Sequence, residues 1–416
     1  MHSLLKTRLG AMMFLEYVIW GAWYVTLNTY LTQTLHFTGT QAGAVFGTTA
    51  LASLVSPFFV GLIADRFFAT ERVLATLYAL GAVCMLLLTQ VETFPAVYGL
   101  LLAFCLCYFP TIALTNSITM QQVKDPGRDF PAIRVLGTLG WIAINLVVGF
   151  MRVEATTVPF LLGAGTCVVM SVFSLLALPH TPPPAKGQKV TIRHLLGLDA
   201  LSMMMRKQSY AIFVVASIAA CVPLTFYYSF TNPYLNEVGV VNAAGKMTLG
   251  QMSEVGMMLA MPLVFRAFTV RWILLMGLFS WALRYVLLAY GDPGPGMWMF
   301  YVAIIIHGVC YDFFFVTGQL YTDQEAPAHL RSTAQGFFTF LTYCAGMLVG
   351  SLLSGGVLDY FSTTVGGVVV RDWQTFWLSS AAMSFAIALL VLFFFRTSAR
   401  IRAAEHQPDR ATEVPA

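Results

Sequence analysis

The sequence predicts an all-α integral membrane protein with twelve membrane-spanning helices. Apolar runs of about twenty residues, each long enough to cross a bilayer, alternate with short polar turns along the 416 residues. The chain is 58% hydrophobic and only 10% charged, a composition that a water-soluble protein of this length does not have. Both observations exclude a soluble domain, and the distribution of basic residues then fixes the parity of the span count.

The predicted helices follow one another with short connections. They occupy residues 9–32, 40–64, 73–91, 95–121, 131–151, 157–179, 210–234, 246–266, 271–290, 297–321, 332–355 and 373–396. The first run is short enough to resemble a signal peptide. It carries Glu16, Trp20 and Trp23 and no convincing cleavage site, so we interpret it as the first span. All seven Cys lie in apolar runs without metal or disulfide spacing, and we interpret them as packing residues.

The Lys and Arg residues are strongly asymmetric about these helices. Of the 23, 18 lie on the side of the N-terminus and three, Arg152, Lys246 and Arg371, on the other, while Arg134 and Arg284 lie within helices. The positive-inside rule therefore predicts that both termini are cytoplasmic, which requires an even number of spans. The formal net charge of +4 is small and does not suggest a nucleic-acid partner.

A basic polar stretch near 180–209 divides the spans six and six. We predict an N-terminal bundle (1–180), a linker (181–209) with a short amphipathic helix near 191–206 on the membrane surface, a C-terminal bundle (210–397) and a disordered tail (398–416). Two six-helix halves joined by a basic cytoplasmic loop are the architecture of the major facilitator transporters. In that architecture the substrate lies between the halves near the midplane.

The loop between the second and third predicted helices resembles the signature loop of that superfamily. It places Gly61 four residues before Asp65-Arg66, and Arg72 follows. The Gly allows close helix packing, and the Asp can interact with a helix N-terminus and a neighbouring Arg. Phe67-Phe68 departs from the usual pattern. The loop marks the superfamily and carries no information about the substrate.

Five charged residues lie inside the predicted spans: Glu16, Arg134, Glu254, Arg284 and Asp312. An unpaired charge at the centre of a bilayer costs about 2.5–3.5 kcal/mol even on permissive insertion scales, so these side chains must face protein or a water-filled cavity. They can form structural ion pairs between helices, or they can bind solute and protons. The structural interpretation is favoured for Arg284, which lies toward the outer end of a peripheral helix.

The fifth helix carries a polar stripe. Arg134, Thr138 and Trp141 are spaced i, i+4 and i+7 and therefore share one face. A guanidinium, a hydroxyl and an aromatic ring in line can bind a polar, ring-shaped solute. The alternative is that Trp141 fills space while Gly137 and Gly140 serve helix packing.

Helices 8 and 10 carry candidate acids. Gln251 and Glu254 share a face at i, i+3, and an acid beside an amide can hold a hydroxylated solute or take up a proton. Asp312 is a second candidate for proton or hydroxyl binding. His307 and Tyr311 pair at i, i+4 as candidate substrate contacts. The alternatives are satisfied buried polar contacts.

Helix 7 ends in a polar face that includes Thr225, Tyr228, Ser229 and Asn232. We predict that Asn232-Pro233 breaks this helix near the outer surface, where a bend can serve gating. The alternative is an aromatic cluster at the membrane interface, since Tyr favours the headgroup level.

These segments resemble the nucleoside:proton symporter family, the bacterial nucleoside and xanthosine permeases. The matching stretches extend from helix 1 to helix 12: Phe14 with Trp20-Gly21 and Trp23, Phe130-Pro131 with Ile133-Arg134 and Gly137-Thr138, Asn232-Pro233, Gln251 with Ser253-Glu254, Trp281 with Leu283-Arg284, Tyr311-Asp312-Phe313-Phe314, and Ala334-Gln335-Gly336. The resemblance implies nucleoside uptake driven by a proton gradient across a bacterial inner membrane. It also implies ligand contacts from Arg134, Thr138, Gln251, Glu254 and Asp312, and it makes Glu254 and Asp312 the candidates for proton coupling.

The chain departs from that family pattern at the substrate face. The enteric nucleoside permeases of the family carry a Gln and an Asn where this chain has Thr225 and Tyr228, a Tyr at His307, a Phe at Tyr311 and a Gln at Glu16. Amides suit the edge of a nucleobase. Their loss, with the acids retained, weakens recognition of the base more than recognition of sugar hydroxyls.

Three other functions compete with nucleoside import. A proton-coupled importer of sugars or polyols on the same scaffold would use Glu254 and Asp312 for hydroxyls. An exporter of apolar cations would need a more apolar cavity than the one that Arg134, Gln251 and Glu254 predict. An enzyme lacks support, because no catalytic constellation or metal spacing occurs in the sequence. We expect no cofactor beyond the proton gradient, and a monomer that contacts a small solute, protons and lipid.

Overall fold

The computed structural model describes residues 2–59, 68–123, 125–182, 204–327 and 331–397. This part of the chain contains twelve helical segments and one hairpin. They are α1 (His2–Tyr24, Leu27–Thr29 and Tyr30–Thr34), α2 (Gly39–Phe59), α3 (Thr70–Leu88), α4 (Phe94–Gln122), α5 (Pro126–Met151), α6 (Val158–Leu176), α7 (Gln208–Glu237), α8 (Ala243–Ala267), α9 (Val270–Tyr290), α10 (Met297–Glu325), α11 (Arg331–Thr339, Phe340–Gly346 and Met347–Tyr360), β1 (Ser362–Val365), β2 (Val368–Arg371) and α12 (Trp373–Phe394). Nine of the helices in the described ranges are long and apolar enough to span a membrane. The predicted all-α membrane fold is confirmed.

The two halves of the chain repeat one packing pattern. In α1–α6 the main contacts join α1 to α5 and α6, α2 to α4, and α3 to α4 and α6. In α7–α12 they join α7 to α11 and α12, α8 to α10, and α9 to α10 and α12. Each pair has its counterpart six helices later, so the halves form two pseudo-symmetric bundles. Between the bundles, α2 packs on α11 and α5 packs on α8, again as counterparts.

The bundles contact each other directly at the end of the molecule opposite the start of α1 and the end of α12, which we call the outer end. A Cβ on Gly43 of α2 would overlap the carbonyl oxygen of Ser351 on α11, and one on Gly149 of α5 would overlap Oδ1 of Asn242 before α8. Glycine therefore lets the backbones of both pairs meet directly, as small residues do in membrane helix packing.

The prediction of a break at Asn232-Pro233 is wrong. Helix α7 continues through Pro233 to Glu237. Proline lacks the N–H that would bond the carbonyl of Ser229 one turn earlier. That carbonyl instead accepts a hydrogen bond of 3.0 Å from Asn28 of the other bundle, so it is satisfied although the helix lacks this bond.

Several local features were not predicted from the sequence. A hairpin joins α11 to α12, and its turn residues Gly366 and Gly367 both have positive φ. The two glycines between β-branched runs were the available signal. Helix α10 contains a π-helical turn at Asp312–Val316, and α11 contains another at Phe340–Gly346. Gly61, Asp65 and Arg66 of the signature loop, most of the predicted surface helix and the tail lie outside the described residues.

Candidate functional site

A cavity of about 240 Å³ lies between the two bundles. Helices α1, α2, α4 and α5 form one wall, and α7, α8, α10 and α11 form the other. It brings together eight of the ten predicted substrate-contacting residues: Arg134, Thr138, Trp141, Tyr228, Gln251, Glu254, His307 and Tyr311. The remaining lining residues were not predicted: Tyr17, Trp20, Tyr24, Thr49, Ala50, Ser53, Phe109, Tyr343 and Met347. Thr225 and Asp312 lie outside the lining.

Tyr17 of α1 holds Arg134 at the N-terminal wall. Arg134 Nη2 donates to the Tyr17 hydroxyl, and the guanidinium carbon lies 4.1 Å from the centre of the Tyr17 ring. The close approach of α1 and α5 depends on Gly137 and Gly140, since Cβ atoms there would overlap Tyr17 and the backbone of Phe14. The two glycines can therefore serve packing while Arg134 serves binding, because the glycines bring Tyr17 next to Arg134.

Aromatic rings enclose the cavity toward the outer end. Trp20 meets Trp141 edge to face at 5.4 Å between ring centres, and Tyr24 contacts Trp141 at 5.8 Å. Tyr24 also contacts Tyr228 of the opposite bundle at 6.2 Å. Such rings offer flat apolar surface to a planar solute. The tryptophans on helix 1 were the sequence signal for this wall, but their contact with α5 requires the fold.

The C-terminal wall carries the acid. Glu254 of α8 has a side chain that is 30% exposed to the cavity, and its Oε2 lies 3.9 Å from Nε2 of His307 on α10. Across the cavity, the guanidinium of Arg134 interacts electrostatically with this carboxylate. The arrangement places one cation and one acid on opposite walls of the same space, where both can contact a polar solute.

A cation lies behind His307 in the C-terminal bundle. The His307 ring stacks on Tyr227 at 5.5 Å, and the Arg284 guanidinium covers Tyr227 at 3.8 Å. Arg284 is fully buried, and its Nε donates to the carbonyl of Ala303 at 2.9 Å. The side chain is thus held by a carbonyl and a ring. Both of its terminal nitrogens are buried without a hydrogen-bond partner among the described residues, and the structural role of Arg284 stays a prediction.

Asp312 is fully buried at the start of the π-helical turn. Neither carboxylate oxygen has a hydrogen-bond partner among the described residues. Glu254 is the charged neighbour that acts on it electrostatically. A buried acid without a donor is costly as a bare anion, so Asp312 is suited to carrying a proton.

Thr225 and Asn232 serve contacts outside the cavity. Thr225 is buried, and its hydroxyl donates to the carbonyl of Cys221 at 2.7 Å. Asn232 accepts a bond of 2.5 Å from Thr29 of the opposite bundle at the outer end. Beside it, the Pro233 carbonyl accepts from Gln33 at 3.3 Å. The bonds to Asn232 and Pro233 therefore join the two bundles at the outer end.

Glu16 is buried behind Tyr17. Its Oε2 accepts from the Tyr78 hydroxyl, and its Oε1 lies 2.8 Å from the Thr111 hydroxyl. The Thr111 hydroxyl also lies 2.6 Å from the Tyr108 carbonyl, and it has one hydrogen to give. If that hydrogen goes to the carbonyl, a protonated Glu16 donates to Thr111 and every group is satisfied. A Gln, which donates from one arm and accepts at the other, would make the same bonds.

We expect Glu16→Gln to leave thermal stability in detergent and transport close to those of the parent. Glu16→Ala should be destabilising, because each buried hydroxyl left without its partner costs about 1–3 kcal/mol. Thermal unfolding of the purified variants, followed by fluorescence, measures both effects. A large loss of stability in Glu16→Gln would show that Glu16 is needed as an anion.

Two pseudo-symmetric six-helix bundles, with a cavity between them lined by aromatic rings and a few polar groups, are the architecture of the secondary transporters of the major facilitator superfamily. Solved structures show the same fold. The peptide transporter POT in complex with sulfate superposes with a TM-score of 0.70 at 16% identity over 93% of each chain. At that identity the likeness shows the fold alone.

The family is shown by closer relatives. The family model described as "Nucleoside H+ symporter" matches residues 3–400. The putative nucleoside transporter YegT of Escherichia coli (strain K12) is 41% identical over 94% of both chains. The xanthosine permease of Escherichia coli (strain K12) is 33% identical over 93% of this chain and 94% of its own length. The crystal structure of the nucleoside transporter NupG gives a TM-score of 0.86 at 30% identity, covering 94% of this chain and 99% of the other. This chain belongs to the nucleoside H+ symporter family and is a transporter, not an enzyme.

Proposed function

We propose that this protein imports nucleosides together with protons by alternating access. The observation that carries the proposal is the cavity between the bundles, where Arg134 faces Glu254 within aromatic walls. Family membership and the names of the relatives support the same substrate class. The sugar or polyol alternative is not favoured, because these relatives are nucleoside and xanthosine transporters by name.

The lining suits the two chemical parts of a nucleoside. Rings such as Trp20 and Trp141 can stack on a planar base, while Arg134, Gln251 and Glu254 can bond the hydroxyls of a ribose and the polar edge of the base. Helix α7 offers Tyr228 in place of an amide, and Thr225 bonds its own helix. We therefore propose that α7 contributes little to recognition of the edge of the base. Recognition then depends more on stacking against the base and on bonds to the sugar hydroxyls.

Proton coupling is assigned to Glu254 and Asp312 in the C-terminal bundle. Glu254 reaches the cavity and can exchange a proton with water or solute. Asp312 has no hydrogen-bond partner among the described residues and is linked electrostatically to Glu254. Because two neighbouring carboxylates repel one another when both are charged, the pair favours a state in which one of them carries a proton. The gradient itself is the only coupling agent that this scheme requires.

The experiment that tests the proposal is uptake by a transport-deficient bacterial host that expresses the full chain. We expect acidification of the medium to drive accumulation of radiolabelled uridine and to leave glucose uptake at the level of the empty host. Collapse of the proton gradient by an ionophore should abolish accumulation. Uptake of glucose but not of any nucleoside would instead support the sugar alternative.

We also propose that both termini face the cytoplasm of a bacterial inner membrane, from the 18 to three asymmetry of basic residues. The cavity, which is closed at the outer end, would then be directed toward the cytoplasm. Reporter fusions after residues 190 and 400 should both give cytoplasmic signals. A periplasmic signal at either position would contradict the orientation and the predicted bundle, linker and tail boundaries.

A further inference from the structure

The outer end contains a carboxylate that neither the cavity nor the proton-coupling scheme uses. Glu154 follows α5 in the N-terminal bundle and is only 4% exposed. Its Oε2 accepts hydrogen bonds of 2.7 Å from the side-chain amides of both Asn232 and Asn236. Its Oε1 accepts one of 3.0 Å from the backbone N–H of Ala244. All three donors belong to the C-terminal bundle, so the charge of Glu154 is satisfied wholly from across the interface.

The Ala244 donor is the second residue of α8. The first N–H groups of a helix lack acceptors within the helix and carry its positive dipole end, so a carboxylate there is stabilised by charge as well as by hydrogen bonding. Bonds between an anion and such donors are stronger than bonds between neutral groups. Glu154 therefore ties the end of α5 to the beginning of α8.

A second carboxylate repeats this contact on the other side of the pseudo-twofold axis. Asp359 lies near the end of α11, the counterpart of α5, and it bonds the beginning of α2, the counterpart of α8. Its Oδ1 accepts from the backbone N–H of Gly39 at 2.6 Å, and its Oδ2 accepts from the N–H and the hydroxyl of Thr40 at 2.7 and 2.6 Å. Each bundle thus contributes one acid to the N-terminus of a helix in the other bundle.

We propose that Glu154 and Asp359 form a pair of symmetry-related latches that hold the cavity closed at the outer end. Opening that end separates α5 from α8 and α2 from α11, so it must break both sets of bonds. Glu154 contributes more, because it is buried while Asp359 is half-exposed. These residues touch neither the cavity nor its acids, so the proposal concerns the balance between closed and open states and does not depend on which solute is carried.

The test measures access to a cysteine placed beneath the latches. Val25 is 9% exposed and lies between the cavity and the outer end. In Val25→Cys, a membrane-impermeant maleimide supplied from the side of the outer end should react slowly, above the background of the native cysteines in the parent chain. Adding Glu154→Gln should raise the rate at least about threefold. A Gln offers only one acceptor arm where three donors converge and turns its N–H2 toward one of them.

The matched control is Glu237→Gln. Glu237 lies at the same end and forms an ion pair with Arg371 at 2.8 Å, but both residues belong to the C-terminal bundle. This change should leave the labelling rate unaltered. Asp359→Asn should raise the rate less than Glu154→Gln, and the double variant should exceed either single variant. Gly149→Ala is a positive control, since a methyl group there overlaps Asn242 and prevents closure.

Two results would overturn the proposal. In the first, labelling rises in Gly149→Ala while Glu154→Gln and Asp359→Asn keep the parent rate, so that the end opens but the acids do not hold it. In the second, Glu237→Gln increases labelling as much as Glu154→Gln, which indicates general loosening. If Glu154→Gln fails to fold, Asp359→Asn tests the same bonds at the exposed latch.

Discussion

Uptake of a nucleoside against its gradient should be lost when Glu254 is replaced by glutamine. The amide has the shape of the protonated acid but cannot release a proton, so the variant is fixed in one protonation state. We expect proton-driven accumulation to fall at least about tenfold, while substrate binding and the exchange of internal for external nucleoside remain. The position of the carboxylate, which is partly exposed to the cavity and 3.9 Å from His307, makes this residue the first choice.

Accumulation and exchange of radiolabelled uridine in reconstituted vesicles, with and without an imposed pH gradient, separate the two effects. Glu237→Gln is the control, because that acid pairs with Arg371 at the outer end, away from the cavity. Asp312→Asn should also impair coupling, but without changing any contact of the cavity wall. Undiminished accumulation in Glu254→Gln would reject the assignment and move proton coupling to Asp312.

Loss of the planar guanidinium at Arg134 should weaken substrate binding. Arg134→Lys keeps the charge but removes the fork of donors that can bond a base carbonyl or a ribose oxygen in two places. A lost hydrogen bond to a charged group is worth about 1.5–3 kcal/mol, so we expect the apparent Kd to rise by about tenfold or more. The protein should remain folded, because lysine keeps a positive charge that can lie against the Tyr17 ring.

Binding of nucleoside measured by calorimetry, beside thermal unfolding in detergent, distinguishes a binding role from a structural one. Tyr17→Phe is the matched variant, since it removes the hydroxyl that holds Arg134 and leaves the guanidinium free to bind. Its effect on Kd should be smaller than that of Arg134→Lys. Normal affinity with reduced thermal stability in Arg134→Lys would place the residue outside the site and weaken the nucleoside assignment.

Much of the cavity lining could be predicted from helical periodicity. The spacing of Arg134, Thr138 and Trp141 put them on one face of α5, and all three line the cavity. The pairs Gln251–Glu254 on α8 and His307–Tyr311 on α10 also line the cavity. The reason is the same, since intramembrane polar groups must face protein or water. Periodicity did not predict the positions of Asp312 and Thr225 correctly. Both residues lie on helix faces that are buried within the bundle and do not line the cavity.

Other features depended on contacts between distant segments. Nothing local to Tyr17 indicates that it bonds Arg134, because that contact arises where two glycines let α1 meet α5. Pro233 was expected to break α7, yet the carbonyl it frees is satisfied by Asn28, about two hundred residues earlier. The hydrogen bonds of Glu154 could not be predicted for the same reason, since its three donors all come from the other bundle.

The sequence by itself determined that this is a multi-span helical membrane protein of two halves, and which few polar residues must avoid lipid. Hydrocarbon imposes those results segment by segment, because every apolar run of sufficient length inserts and every buried charge needs a partner. Only the tertiary structure decided which polar groups meet in the cavity, which face the bundle interior and which close the outer end. Those outcomes depend on how two bundles pack, and the packing energies are shared among residues far apart in the chain.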